Sequence, residues 1–304
     1  MTSIPGRKRP LIFAVPGSKV YIGDSWTNTR SSFLNISITG SSCELQCRHC
    51  RGQLLKHMTA AADSSTLVSV AEKYMKKSGL KGMLISGGFD RRGMLDFSPL
   101  ARGMEEIKKR YPQLTIYVHA GFVDGSQALM LKQTGVDAVL VNLINSQKAI
   151  EEVYNLKGRT YRDYLDSIKA LKDHGLKVAP HIIIGLEKGS MSGEFKAVED
   201  AVRLRADSIV FAILKKASPG IDFPASGIPD EAVIRLVGHA RRLSADIGLS
   251  FGCARPPARD RHLLEIGLIK AGIDSIAFPS EKTVRYALEN KIAHAFVEKC
   301  CANL

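Results

Sequence analysis

The sequence predicts an α/β fold, a (β/α)8 TIM-type barrel, full or partial, and three observations carry the prediction. Short apolar runs alternate with helix-periodic stretches eight times between residues 33 and 288, and strands that alternate with helices in this way build parallel sheets with crossover connections. Gly79, Gly135, Gly175, Gly248 and Gly272 each fall between a helical stretch and the next apolar run, where a helix C-terminal cap belongs. Polar and glycine residues gather just after the apolar runs, the rim on which barrels of this type carry their chemistry.

In chain order, residues 1–32 form a lead-in. Arg7, Lys8 and Arg9 precede an apolar run at 11–15 that Pro16-Gly17 breaks at once, too short for a signal-peptide core. Buried strands are expected at 33–38, 83–85, 114–118, 138–141, 178–184, 208–213, 249–251 and 275–278, each a compact apolar run. Helices are expected at 66–77, 100–110, 127–133, 161–174, 194–205, 231–245, 259–270 and 281–288, from their apolar periodicity. The barrel domain is read as 33–290. A helix after the last strand would carry residues 291–304 away from the rim. Asn290 can end it, after which 292–301 can run back extended over the barrel mouth, about 33 Å for ten residues.

Composition narrows the class. The chain has 304 residues, 45% of them hydrophobic, and a formal charge of +13. No stretch of about 18 apolar residues occurs, so no membrane span is expected. The positive balance implies an acidic partner: an acidic protein, RNA or anionic cofactors. Of six cysteines, three are clustered at 43–50, one is Cys253 and two are the vicinal Cys300-Cys301. That grouping points to metal or redox chemistry in a cytoplasmic protein rather than to a disulfide framework.

Cys43, Cys47 and Cys50 form a C-x3-C-x2-C triplet directly after the first expected strand. Three thiolates on one loop can hold three corners of an iron–sulfur cube and leave the fourth iron open. A zinc knot would want a fourth Cys or His at regular spacing, and His49, adjacent to Cys50, is poorly placed to be it.

The triplet, its position and the barrel periodicity together resemble the radical S-adenosylmethionine (SAM) enzymes, and within them the biotin and lipoyl synthases. The resemblance implies a [4Fe–4S] cluster at Cys43, Cys47 and Cys50 whose open iron chelates SAM, and a 5′-deoxyadenosyl radical that abstracts hydrogen from carbon. It implies SAM contacts too. His49 stands where the family often has an aromatic residue near the adenine. Ser86-Gly87-Gly88 is similar to the glycine pair that approaches the methionine amino group, although Phe89 replaces the family's following Glu. Asn142 looks like the ribose ligand. Gly158-Arg159-Thr160-Tyr161 resembles a biotin synthase segment whose Arg pairs with the SAM carboxylate. Residues 183–187, with Ile184 and Leu186, resemble the strand that lines the adenine.

The remaining cysteines sort the subfamilies. No cysteine falls on the second, third or fifth expected strand, where biotin synthase carries its second cluster, and none precedes residue 43 as in single-chain lipoyl synthases. Cys253, Cys300 and Cys301 resemble those of a two-component, archaeal-type lipoyl synthase subunit. That likeness implies a second, auxiliary [4Fe–4S] cluster on these three, consumed as the sulfur donor for an octanoyl chain on a carrier protein. Arg30-Ser31-Ser32 is similar to a serine-bearing lipoyl synthase element but lies at the wrong end of its strand. The expected partners are an acidic lipoyl-carrier domain or H-protein-like substrate, a homologous radical SAM subunit and an electron donor, with nucleic acid disfavoured. Lys215, Lys216, Arg255, Arg259 and Arg261 are candidates for the docking rim. The alternatives are a biotin synthase-like or other radical SAM enzyme acting on a small molecule or RNA, and a non-catalytic iron–sulfur scaffold or sensor.

Overall fold

A computed structural model describes residues 9–302 apart from 188–189, 215–220, 222, 224–226 and 257–259. Among these residues eleven strands form a single sheet: β1 (Leu11–Ala14), β2 (Phe33–Ser37), β3 (Thr59–Ala60), β4 (Gly82–Ser86), β5 (Thr115–Ala120), β6 (Ala138–Asn142), β7 (Val178–Ile184), β8 (Ser208–Ile213), β9 (Gly248–Phe251), β10 (Ser275–Ala277) and β11 (His294–Val297). Every pairing is parallel, in the order β11-β1-β10-β9-β8-β7-β6-β5-β4-β2-β3. Among the same residues eight α-helices make the crossovers: α1 (Ser64–Ser78), α2 (Ala101–Arg110), α3 (Gly125–Gln133), α4 (Tyr161–Asp173), α5 (Glu194–Arg203), α6 (Asp230–Leu243), α7 (Arg261–Lys270) and α8 (Glu281–Glu289). The eight expected strands and eight expected helices all appear, each within two residues of its expected ends.

Three strands are additional. β1 lies inside the segment read as a lead-in: Pro16-Gly17 ends a genuine four-residue strand that pairs with β10 on one side and β11 on the other. β3 is a two-residue edge beside β2. β11 is the expected extended return. The Asn290 amide donates to the Tyr286 carbonyl at the end of α8, 2.9 Å away. Lys291 then turns the chain through a left-handed conformation, φ 53°.

Alternation along the strands separates two faces. Ile116 and Val118, Val139 and Val141, and Ile209 and Phe211 belong to the core beneath the helices, whereas Tyr117, Leu140 and Val210 point to the concave side. There they pack with Cys300, Cys301 and Ala302, so the tail occupies the inside of the curled sheet. Ser208 Oγ donates to the Ala302 carbonyl, 3.0 Å away.

One carboxylate ties the two ends of the sheet together. Glu298, just past β11, accepts from Thr29 N (2.9 Å) and Ser32 Oγ (2.5 Å), which precede β2, and pairs with Lys81 Nζ (2.8 Å), which precedes β4. Burial would raise its pKa, but these donors outweigh burial and lower it.

Candidate active site on the concave face

The cysteine loop leaves the carboxyl end of β2 and is braced from two sides. Beneath it runs the Gly88-Phe89 backbone: Glu44 N and Leu45 N both donate to the Phe89 carbonyl at 3.1 Å. A Cβ on Gly88 would lie 2.0 Å from Ser42 O and 2.5 Å from Cys43 Cα, so only glycine allows this approach. Beside it, Asn155, itself left-handed at φ 56°, donates its amide to the Leu45 and Gln46 carbonyls (3.0 and 2.9 Å). Arg48 N donates to Val153 O, 2.8 Å away.

The braces gather a donor set. Cys47, His49 and Cys50 offer ligand atoms that all lie within 4.8 Å of one another. Cys43 stands beside them, its Sγ 3.9 Å from the Phe89 carbonyl and near enough to act electrostatically on Cys47. The Cys50 thiol is pulled well below the usual range by hydrogen bonds from Cys47 and His49, against its burial. Cys47 is pushed up by the same hydrogen bond and by burial. The loop therefore carries a ready thiolate, the form that binds soft metals. His49, expected to be poorly placed as a ligand, is in fact inside the donor set. Its ring leans on Tyr154 (centroids 5.0 Å) and Phe223 (6.4 Å). Two buried atoms here have no partner among the described residues, His49 Nδ1 and the Tyr154 hydroxyl. Three thiols with unsatisfied polar groups around them fit an iron–sulfur centre and its ligand.

The other expected SAM contacts divide. Ser86 faces the concave side and donates to the His119 carbonyl (2.9 Å). Gly88 N is already taken by Thr39 Oγ1 (2.7 Å), so Gly87-Gly88 supports the cysteine loop as much as it could face a ligand. Asn142 lines a cavity with Leu45, Phe89, Phe122, Tyr154 and Tyr164. Arg159 is held by Asp163 (2.8 Å) and the Arg92 carbonyl (3.1 Å) and lies over the Phe122 ring that borders this cavity. Ile184 is fully buried in the helix-side core, so any adenine contact from Ile184 is by its backbone. Leu186 lines a second cavity with Ile183, Glu187 and Glu194.

Sequence reasoning did not single out His181, although a histidine after Pro180 inside an apolar strand was a readable signal. Its ring meets His119 edge-on, centroids 5.2 Å apart and planes at 86°. Its Nδ1 lies 3.2 Å from the Ala179 carbonyl, an acceptor, so Nδ1 carries the proton and Nε2 keeps a lone pair. Burial pulls His119 down to about 4, against a hydrogen bond that its ring donates to Asn142. Burial and the neighbouring His119 pull His181 down to about 3.

The last three cysteines, far apart in sequence, come together. Cys301 is within hydrogen-bond reach of both Cys253 and Cys300. Its bond with Cys253 lowers its pKa, but the bond with Cys300 and burial win and push it up to about 12. Arg255 is not on a docking rim. It is buried beside these thiols, paired with fully buried Glu265 (2.8 Å) and bonded to the Gly252 and Phe278 carbonyls. Arg261 is the more exposed partner of Glu265, 3.9 Å away. Lys215, Lys216 and Arg259 lie outside the described residues. Ser32 is engaged by Glu298. Among the described residues no helix is long and apolar enough to cross a membrane.

Residues 37–192 match the Radical SAM superfamily. Curated relatives include biotin synthases from Kocuria rhizophila, 23% identical over 50% of this chain and 33% of that protein, and from Psychromonas ingrahamii, 27% identical over 51% and 44%. The chain thus spans less than half the length of these relatives. Solved structures similar in fold include the FeFe-hydrogenase maturase HydG from Carboxydothermus hydrogenoformans, TM-score 0.64, 15% identical over 97% of this chain and 70% of that one. Methylornithine synthase (PylB) aligns with TM-score 0.61, 11% identity, 94% of this chain and 84% of that one.

Proposed function

The chain belongs to the radical SAM superfamily, and from that premise we propose that it is a sulfur-inserting enzyme of the lipoyl synthase type, acting on an octanoyl chain attached to a carrier protein. Radical SAM domains imply a [4Fe–4S] cluster and SAM, and the cysteine loop has the donors for the cluster. When bound, these cofactors supply the radical that removes a hydrogen atom from carbon. The observation that carries the finer reading is that Cys253, exposed just past β9, reaches Cys301, which lies with Cys300 on the concave face. Three thiols gathered there suit an auxiliary cluster that donates sulfur, with Arg255 supplying nearby positive charge. The chain's own task is to hold both centres on one face, exclude water behind the tail, and keep the His119–His181 layer uncharged. A net charge of +13 suits an acidic lipoyl-carrier domain or H-protein-like substrate, and the reading includes a homologous radical SAM partner subunit and an electron donor.

A second reading, a biotin synthase-like enzyme acting on a small polar molecule, draws support from Ser86, His119, Asn142 and His181 on the concave side and from the biotin synthase relatives. Anaerobic reconstitution decides between them. About eight irons per chain, two four-iron clusters, is expected, and dithionite with SAM should yield 5′-deoxyadenosine. Cys253→Ala with Cys300→Ala should halve the iron yet keep SAM cleavage, while an octanoylated carrier domain gains sulfur only with the unaltered chain. About four irons would remove the sulfur-donor reading.

A further inference from the structure

We propose that the Tyr154 hydroxyl donates a hydrogen bond to a sulfur of the iron–sulfur centre at Cys43, Cys47 and Cys50 and raises its reduction potential; this rests on the reading that these thiolates hold that centre. Tyr154 is 5% exposed, and its phenolic oxygen is fully enclosed without a partner among the described residues. A buried hydroxyl left unpaired costs free energy, so its retention at this spot calls for an acceptor that arrives with a ligand.

The placement is built rather than incidental. Residues 149–153 form a single π-turn, with Tyr154 N bonded to Ala149 O at 3.1 Å. The extra residue of a π-turn rotates the residues after it, and such turns favour functional sites. Here it swings Tyr154 onto the cysteine loop. The Tyr154 carbonyl is 3.8 Å from Cys47 Sγ, its neighbours Val153 and Asn155 bond to Arg48, Leu45 and Gln46, and its ring packs on His49. The ring cannot move independently of the loop. A phenol ordinarily gives up its proton only at a pH of about 10, so at neutral pH the hydroxyl is a donor. Donors to cluster sulfurs favour the reduced, more negative state, one of the ways proteins tune such centres.

The test uses the full chain carrying Cys253→Ala and Cys300→Ala, so that one four-iron centre is observed, with and without Tyr154→Phe. The variant should keep its iron, melt in the iron-free form at or above the parent temperature because no bond is lost, and show a more negative midpoint in an EPR-monitored redox titration. An unchanged midpoint would overturn the proposal. So would a lower iron-free melting temperature, which would mean the hydroxyl already has a protein partner. An unchanged midpoint with weakened SAM binding would assign the hydroxyl to SAM instead. Iron analysis of the parent reports separately on the underlying reading: no four-iron centre there would overturn both.

Discussion

Lowering the pH from 7 to 5 should cost this fold at most about 4 kcal/mol through two histidines. His119 and His181 stay neutral in the folded chain down to about 4 and about 3, whereas an unfolded imidazole titrates near 6.5. Because both folded values are depressed, the unfolded chain binds more protons below pH 6.5, and stability falls as pH falls through that value. At pH 5 each unfolded imidazole is almost fully charged and each folded one almost fully neutral. Each site therefore contributes about 1.4 pK units relative to pH 7, or about 1.9 kcal/mol. Both rings keep some accessible surface, which makes the sum an upper figure. Carboxylates with lowered values, such as Glu298, lose their contribution mainly below this window. Urea unfolding of iron-free protein at pH 7, 6 and 5 measures the slope, and His119→Gln with His181→Gln should flatten it. A double variant as pH-sensitive as the parent would refute the argument.

Three further outcomes rest on single contacts. Glu298→Ala leaves Ser32 and Thr29 without their acceptor and should cost on the order of 3 kcal/mol; alkylation of iron-free protein should then modify Cys300 and Cys301, each now 6% exposed, many times faster. Gly88→Ala drives a methyl group into Ser42 O and Cys43 Cα, costing on the order of 2 kcal/mol; iron analysis should find the first centre depleted while circular dichroism keeps the fold. Arg255→Met removes the nearer counter-charge of the Glu265 carboxylate, 0% exposed, leaving it Arg261 at 3.9 Å and the Ser280 and Thr283 donors, and should cost on the order of 2 kcal/mol; adding Glu265→Leu should recover part of it in urea titrations.

The barrel was legible because its strands are buried on both sides and therefore read as unbroken apolar runs, 178–184 and 208–213 most plainly. β1 escaped because four residues ended by Pro16-Gly17 look the same whether they float or pair; only β10 and β11, distant in sequence, make them a strand. The cysteine loop was legible from spacing alone. Its supports were not: Gly88 signals close approach only once Cys43 is above it, and Tyr154 needs the π-turn to face the loop. Arg255 read as a surface cation because its neutraliser, Glu265, lies in the next helix, and burial of a pair cannot be seen from one partner. Ile184 was assigned to a ligand from sequence likeness, but the two-residue period of β7 turns its side chain to the helices.

The tail joins two roles that are usually separate. Residues 294–302 supply the last strand, the Glu298 clasp across the sheet's edges and the thiols of Cys300 and Cys301. Anything that binds the folded form and not the unfolded one stabilises it, and metal held by thiolates does so strongly. On the proposed reading, a centre loaded at Cys253, Cys300 and Cys301 must therefore also tighten the clasp, since Cys253 is fixed at the end of β9 while the other two ride on the tail. The reverse holds with equal magnitude: weakening the clasp by Glu298→Ala must weaken the centre, though no ligand is touched.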